Sequence, residues 1–369
     1  MNNNKIAFVI LGLGIGGAEK FLVNVVNQFF RKGYTPLVIL LSNDKTLLGE
    51  LDRGVKVVTV LKKSRLDIFI TNRIREHIDS EGITKIFCVN AYAFFLTKLA
   101  YLFNNKTQFF VSLHSTIPFT VKSYWQNLVY FRFISKKDLI IYLCNNQKKY
   151  LEKKYYLNRT GDKIVFNGID TNYFDPKIFE NIDKSALRKH FNLTETDKVI
   201  VQVARLQAEK RHTDAIDALF YLHNEYGSKA HLLLVGSGEE GYTNSLKQNV
   251  KDKGLDSYIH FAGSQSDVRK YYCMSDAFTL TSNSETFSLS ALEAMAFCLP
   301  CSLTDIGGAS EMTIDGVTGV LSNPEDAASI ATSWHKLLSN NIKGEHIRQF
   351  VLEKFTSEKM LNQYLELVG

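Results

Sequence analysis

Two glutamates, Glu285 and Glu293, stand in the run TSNSETFSLSALEAMA at Thr281–Ala296, directly after an apolar strand-like segment. The run predicts a helix boundary at Ser284 or Glu285. The amides of Thr286, Phe287, Ser288 and Leu289 are then unpaired helix-start donors aimed at a negative charge. On such a helix the step from one glutamate to the other rises about 12 Å, roughly the span of a nucleotide sugar from hexose to ribose. One carboxylate would grip sugar hydroxyls, the other the ribose diol, with a pyrophosphate on the helix end between them. The plain alternative is two solvated glutamates on an amphipathic helix, but apolar residues crowd this segment on most faces. A second constellation is VARLQAEKRH at Val203–His212, after another strand. Arg205 and Lys210 put two cations where a diphosphate leaving group needs its charge neutralised; ordinary surface salt bridges would use the same residues. The third is GLGIGGAE at Gly12–Glu19. It satisfies G-x-G-x-x-G at Gly12, Gly14 and Gly17, and its helix-start amides could approach an anion closely. A dinucleotide site also wants an acidic residue about 20 positions on. Here Ser42-Asn43-Asp44 comes later than that, so phosphate binding is favoured over a nicotinamide cofactor, with a bare turn as the alternative.

Positioning these groups requires strands that end beneath them. Apolar runs at Lys5–Leu11, Pro36–Leu41, Val55–Val60, Lys85–Asn90, Phe109–Leu113, Leu139–Cys144 and Lys163–Phe166 alternate with helix-period segments such as Ala18–Arg31. The pattern returns at Val199–Val203, His231–Val235, Ile259–Ala262, Ala277–Leu280 and Pro300–Thr304. This predicts an α/β protein with two doubly wound parallel-sheet domains facing a cleft, and ligands at the carboxyl ends of the strands. Turn chemistry and a change of charge sign near 170–185 place the boundary there, giving domains at 1–180 and 181–354. The C-terminal helix, about 355–369, is free to pack back on the first domain.

Composition narrows the classes. With 369 residues, 45% hydrophobic and 22% charged, the chain is neither a disordered tail, a collagen-like fibre nor a disulfide scaffold. No apolar stretch is long enough to span a bilayer; the richest, Phe87–Phe103 and Trp125–Leu143, are interrupted by charge. The opening MNNNKIAFVILGLGIGGA imitates a secretory signal, but a first strand entering a glycine loop is the preferred reading. Five cysteines, an odd number set mostly in apolar runs, fit reduced thiols in a cytosol. Through Glu180, 26 Lys and Arg stand against 14 Asp and Glu, and the balance reverses afterwards. A basic first half points to an anionic surface or substrate.

Taken in order, these motifs resemble glycosyltransferase family 4, retaining enzymes of the GT-B fold of the bacterial surface-polysaccharide type, over nearly the whole chain. GGAE at Gly16–Glu19 is similar to the family's phosphate loop, and NGID at Asn167–Asp170 to its entry into the interdomain linker. Arg205 and Lys210 match its diphosphate pair, VGSGEE at Val235–Glu240 its next strand-loop, and FAGSQSDV at Phe261–Val268 its nucleobase loop. IGGASEM at Ile306–Met312 and DGVTG at Asp315–Gly319 complete the series. The resemblance implies a hexose or N-acetylhexosamine transferred from a nucleoside-diphosphate sugar, UDP before GDP, to a glycan or lipid-linked acceptor. It makes Arg205 and Lys210 the groups that neutralise the β-phosphate. Glu285 orients the sugar and Glu293 binds the ribose. Gly16 and Gly17 close over the pyrophosphate, while Gly236, Gly238, Gly263, Thr286, Phe287, Ser288 and Leu289 belong to the donor site. His114, in SLHS, falls where the family often places a histidine near the transferred sugar; a structural histidine is the alternative.

Departures from the pattern are informative. Thr286 and Ser288 replace glycines, which would narrow the sugar pocket. Cys298 replaces the glycine before Leu-Pro, and with Cys301 makes a C-x-x-C that could be redox-active or half a zinc site. No Asp-x-Asp motif for a metal-bound diphosphate occurs, so no cofactor or metal is expected and the two cations take that place. The resemblance favours front-face attack, with the departing phosphate helping to deprotonate the acceptor. In TVKSYWQNLVYFRFISKK at Thr120–Lys137, with Lys62, Lys63, Arg65, Lys148, Lys149, Lys153 and Lys154, aromatics and cations interleave. That reads as peripheral docking at the inner face of the cytoplasmic membrane or as an ordinary buried helix. Single-strand nucleic-acid binding uses the same ingredients but leaves the donor motifs without a task. Two rivals remain: an NAD(P) oxidoreductase built on the glycine loop, and a non-catalytic sugar-nucleotide-binding subunit.

Overall fold

A computed structural model describes residues 4–64, 67, 69–102, 104, 106–114, 121–157, 159–340 and 342–368. Arg65, Phe103 and Thr120, which enter the sequence reading, lie outside these residues. The chain divides into two compact units, 1–166 with 360–369, and 167–359.

Among the described residues the first unit holds β1 (Lys5–Ile10), β2 (Thr35–Leu40), β3 (Lys56–Thr59), β4 (Lys85–Val89), β5 (Gln108–Ser112), β6 (Leu139–Tyr142) and β7 (Lys163–Ile164). They form one sheet in the order β3-β2-β1-β4-β5-β6-β7, every pairing parallel. Side chains alternate along a strand, so KIAFVI feeds two cores at once. Ala7 and Val9 face one cluster with Ile39, Ile86 and Val111. Ile6, Phe8 and Ile10 face the other, with Phe21, Val25, Val26 and Phe29 of the helix Gly17–Arg31. The opening segment is thus a buried central strand. Met360, Leu361, Tyr364 and Val368 of the helix Ser357–Val368 join that second cluster, Tyr364 lying 5.5 Å from the rings of Phe21 and Phe87.

The second unit holds β8 (Val199–Val203), β9 (His231–Val235), β10 (Ile259–Gly263), β11 (Ala277–Leu280), β12 (Cys301–Thr304) and β13 (Gly319–Ser322), in the order β10-β9-β8-β11-β12-β13, again all parallel. β13 is absent from the sequence reading, its GVLS being too short and glycine-led to stand out. Gly319 is required there: a Cβ would meet the Cys301 carbonyl at 2.0 Å.

The domain boundary drawn at Glu180 needs correction. Segment 167–180 packs in the second unit, where Asn167 Nδ2 donates to the Phe287 carbonyl (3.2 Å) and Ile169 pairs with Thr356. Arg348 donates to the carbonyls of Thr171 (3.1 Å) and Phe174 (2.8 Å). Turn residues mark where a chain bends, not which core it joins.

Candidate active site

In the second sheet the order reverses between β8 and β11, and ligands of such sheets bind beyond the carboxyl ends of the strands at that point. The loop after β8 carries Arg205 and Lys210; the loop after β11 carries Glu285. Buried polar groups lock the two loops together. Thr281 Oγ1 lies 3.0 Å from the carbonyls of both Lys210 and Arg211. Gln202, fully buried on β8, donates to the Lys210 carbonyl at 3.2 Å. The Asn283 amide donates to the Glu209 carbonyl at 3.0 Å. With backbones so fixed, the Lys210 ammonium forms an ion pair with the Glu285 carboxylate, both side chains mostly buried. The neighbouring Arg211 is occupied by a two-pronged bridge to Asp214 (2.8 and 2.9 Å). Arg205 is exposed and, among the described residues, has no side-chain partner. One cation is therefore engaged with a carboxylate, and a second stands open in the same loop.

The expected helix over Glu285 is not there. The helix runs Leu289–Ala296, and its N-cap is Ser288, whose Oγ accepts from the Ala291 amide at 3.2 Å. Glu285 lies in the preceding loop, so the 12 Å rise along one helix does not describe the two glutamates. Serine, which replaces the family's glycine at 288, here supplies the cap. Thr286 and Ser288 are buried, and the Thr286 carbonyl accepts from the Gly308 amide at 2.8 Å. Gly307, at φ 51°, could not carry a Cβ without meeting the Glu285 carbonyl at 2.3 Å. The loop after β12 thus cradles the glutamate from behind. Phe287 is a packing residue: it is buried, with its ring 5.4 Å from that of Phe355. Leu289 opens the helix and is half-buried. Glu293, one turn on, accepts from the fully buried Tyr272 hydroxyl at 2.8 Å. Burial pushes that phenol's pKa well up, so it remains the donor. Tyr272, Thr281 and Gln202 escaped the sequence reading; a lone Gln inside the strand VIVQV was the available signal.

Gly236 and Gly238 follow β9, and Gly263 ends β10, at the same edge of the sheet. A Cβ on Gly236 or Gly238 would meet the carbonyl of Ala204 or Leu206, each at 1.9 Å. These two glycines therefore let the β9 loop lie against the Arg205 loop. Gly263, at φ 67°, has open space beside it.

In the first unit the order reverses between β1 and β4. Gly12 and Gly14 press against the segment after β2, where a Cβ would meet Ser42 Oγ or Asp44 Oδ2 at 2.4 Å. The Leu13 amide donates to the Asp44 carbonyl at 2.8 Å. Those glycines answer to the protein's own packing, which leaves the dinucleotide fingerprint unsupported. Gly16 is the N-cap of Gly17–Arg31 with no side-chain cap, and a Cβ on Gly17 would point into open space. His114 follows β5. Its amide donates to Asn90 Oδ1 (2.9 Å), Nε2 lies 3.0 Å from Ser112 Oγ, and its ring is 4.3 Å from that of Phe21 on the glycine-loop helix. Burial lowers its pKa to about 3, so the imidazole is neutral near pH 7.

Cys298 and Cys301 do not make a reactive pair. Cys301 is buried and donates weakly to the Leu299 carbonyl (3.4 Å), and burial raises both thiol pKa values. Cys298 has φ 65°, the left-handed conformation that suits the family's glycine. No helix among the described residues is long and apolar enough to cross a membrane, and none of their His, Cys, Asp or Glu side chains group three or more in a way that could hold a metal ion.

Comparison with known proteins also divides the chain in two, between residues 173 and 183. The model described as Glycosyltransferase Family 4 matches residues 15–173, and that described as Glycosyl transferases group 1 matches 183–352. An N-acetyl-alpha-D-glucosaminyl L-malate synthase of Bacillus anthracis is 34% identical over 52% of this chain, and the chain spans only about half, 51%, of that relative's length. A UDP-Gal:alpha-D-GlcNAc-diphosphoundecaprenol alpha-1,3-galactosyltransferase of Escherichia coli is 26% identical over 62% of this chain and 59% of its own. The crystal structure of Anabaena HepE in complex with UDP-glucose superposes with a TM-score of 0.84 at 20% identity, covering 99% of each chain. Both family models, two doubly wound parallel sheets and full-length structural likeness agree: the chain belongs to glycosyltransferase family 4 and has the GT-B fold.

Proposed function

We propose that the protein transfers a hexosyl or N-acetylhexosaminyl group from a nucleoside-diphosphate sugar, UDP ahead of GDP, to a glycan or lipid-linked acceptor, with retention of anomeric configuration. The setting is bacterial surface-polysaccharide assembly. The observation that carries this reading is the pairing of Lys210 with Glu285 at the switch point of the second sheet, with Arg205 exposed in the same loop as Lys210. A diphosphate there would face two cations, and a fixed positive charge in a partly dry site stabilises a departing phosphate far better than water does. In this reading Glu285 takes sugar hydroxyls next to that phosphate, and Glu293, which accepts from Tyr272, takes the ribose. The two cations do the work that a divalent ion does elsewhere. Neutral His114 is suited to hydrogen-bond a sugar hydroxyl and unsuited to hold positive charge. The helix start at Gly16 and Gly17, where the N-cap residue has no side chain to intervene, suits a phosphate.

Supporting comparisons are the named donor of the Escherichia coli relative and the UDP-glucose held by HepE. The test is a thermal-shift screen of UDP, GDP, ADP and CMP with their sugars, followed by transfer assays. The expected result is stabilisation by one nucleoside diphosphate and loss of transfer in the Arg205→Ala, Lys210→Ala double variant with the fold intact. Undiminished transfer in that variant would refute the diphosphate assignment.

A further inference from the structure

The helix Val121–Phe131 has two dissimilar faces. Tyr124, Leu128, Tyr130 and Phe131 pack inward, Tyr124 stacking on Tyr155 at 5.5 Å and Tyr130 on Phe95 at 4.4 Å. A neighbouring stripe carries Val121, Trp125 and Val129, which are 76%, 59% and 50% exposed. Spacings of four residues align all three in one stripe on a helix surface. Trp125 is thus the reverse of a core aromatic.

Charge frames the stripe. No Asp or Glu occurs between Glu81 and Asp138. Asp138 is itself buried against the Lys98 ammonium at 2.6 Å, and the next acid, Glu152, faces Lys148 at 3.9 Å. Exposed Lys122 and Arg132 flank the stripe. Lys154, with its ammonium 5.1 Å from the Tyr124 ring, brings a third cation from the neighbouring helix Asn145–Tyr155. Beyond it Tyr156 is 84% exposed.

We propose that this face docks the protein on an anionic lipid surface, Val121, Trp125 and Val129 entering the headgroup boundary while Lys122, Arg132 and Lys154 contact lipid phosphates. Nucleic acid would use the cations and an aromatic but leave two valines exposed to water. Lipid accommodates both, and indole favours the membrane–water boundary. This deepens the proposed function, on which it rests for the lipid-linked acceptor.

The chain's two tryptophans give a direct reading. Trp334 is fully buried, its indole N–H donating to Thr279 Oγ1 at 2.9 Å, so a change in emission on binding reports Trp125. Vesicles of phosphatidylglycerol and phosphatidylcholine should shift the full-length protein's emission to the blue at 50 mM salt, and 500 mM salt should reverse the shift. Vesicles of phosphatidylcholine alone should not shift it. Val121→Ser with Val129→Ser, and separately Lys122→Glu with Arg132→Glu, should each lower vesicle partition at least tenfold while nucleoside-diphosphate protection against heat stays as in the parent. No shift with anionic vesicles, equal binding by the variants, or tighter binding to oligo(dT) than to vesicles would overturn the proposal. Should nucleotide protection hold in any of those cases, the donor reading stands and only the docking face falls.

Discussion

Pairing of Lys210 with Glu285 makes a prediction opposite in sign to simple loss of a binding residue. Without a ligand the ammonium is held by the carboxylate, so a diphosphate that recruits Lys210 must first displace Glu285. The two side chains retain only 17% and 20% exposure. That places the pair between exposed bridges, worth about 0–1 kcal/mol, and fully buried ones, whose rupture costs about 3–5 kcal/mol. A value of about 1–2 kcal/mol is reasonable, which corresponds to about five- to thirtyfold in affinity. Glu285→Gln should therefore bind the free nucleoside diphosphate about five- to thirtyfold more tightly, while transferring sugar more slowly because the hydroxyl contacts are weakened. Lys210→Ala should bind the same nucleotide more weakly, by about 1.5–3 kcal/mol for a lost charged hydrogen bond. Calorimetric titration of both variants, with transfer rates alongside, separates the cases. If Glu285→Gln weakens nucleotide binding as Lys210→Ala does, the competition argument is refuted.

Cys298 sits in a left-handed conformation at φ 65°, which costs a residue with a Cβ about 1–2 kcal/mol, partly offset by the greater freedom glycine has when unfolded. Cys298→Gly should gain about 0.5–1 kcal/mol in urea denaturation; equal shifts for Cys298→Gly and Cys298→Ala would show that the thiol, not the Cβ, matters. His212 is fully buried, neither ring nitrogen has a partner among the described residues, and burial, helped by the Lys210 charge, lowers its pKa to about 4. The unfolded imidazole takes its proton first, near pH 6.5, so stability is full above that pH and falls toward pH 4, by about 1.4 kcal/mol per pH unit. Denaturation between pH 7.5 and 5 should show a shallower decline for His212→Leu, and identical slopes would remove His212 as the cause.

Much of the fold was legible because strands of a parallel sheet are buried on both faces and read as unbroken apolar runs. VIVQV and HLLLV have the limits the sequence predicts, and KIAFVI ends one residue early. The helix starts later than its sequence predicts, because several residues from Ser284 to Ser288 can cap. The choice fell to Ser288 once Gly307 and Gly308 had drawn the Glu285–Thr286 carbonyls into the loop after β12. Linker residues 167–180 carried turn chemistry but no sign of the core they would join.

The amino-acid sequence by itself determined most of the elements and the cations at strand ends, since period and turn residues act over a few neighbouring positions. Only the tertiary structure decided that Lys210 meets Glu285 across 75 positions of chain, that Tyr272 orients Glu293, and that Trp125 faces outward rather than into a core. Those outcomes depend on strand order and helix rotation, which are fixed by crossovers and by competition among distant apolar faces. No local stretch of residues encodes them.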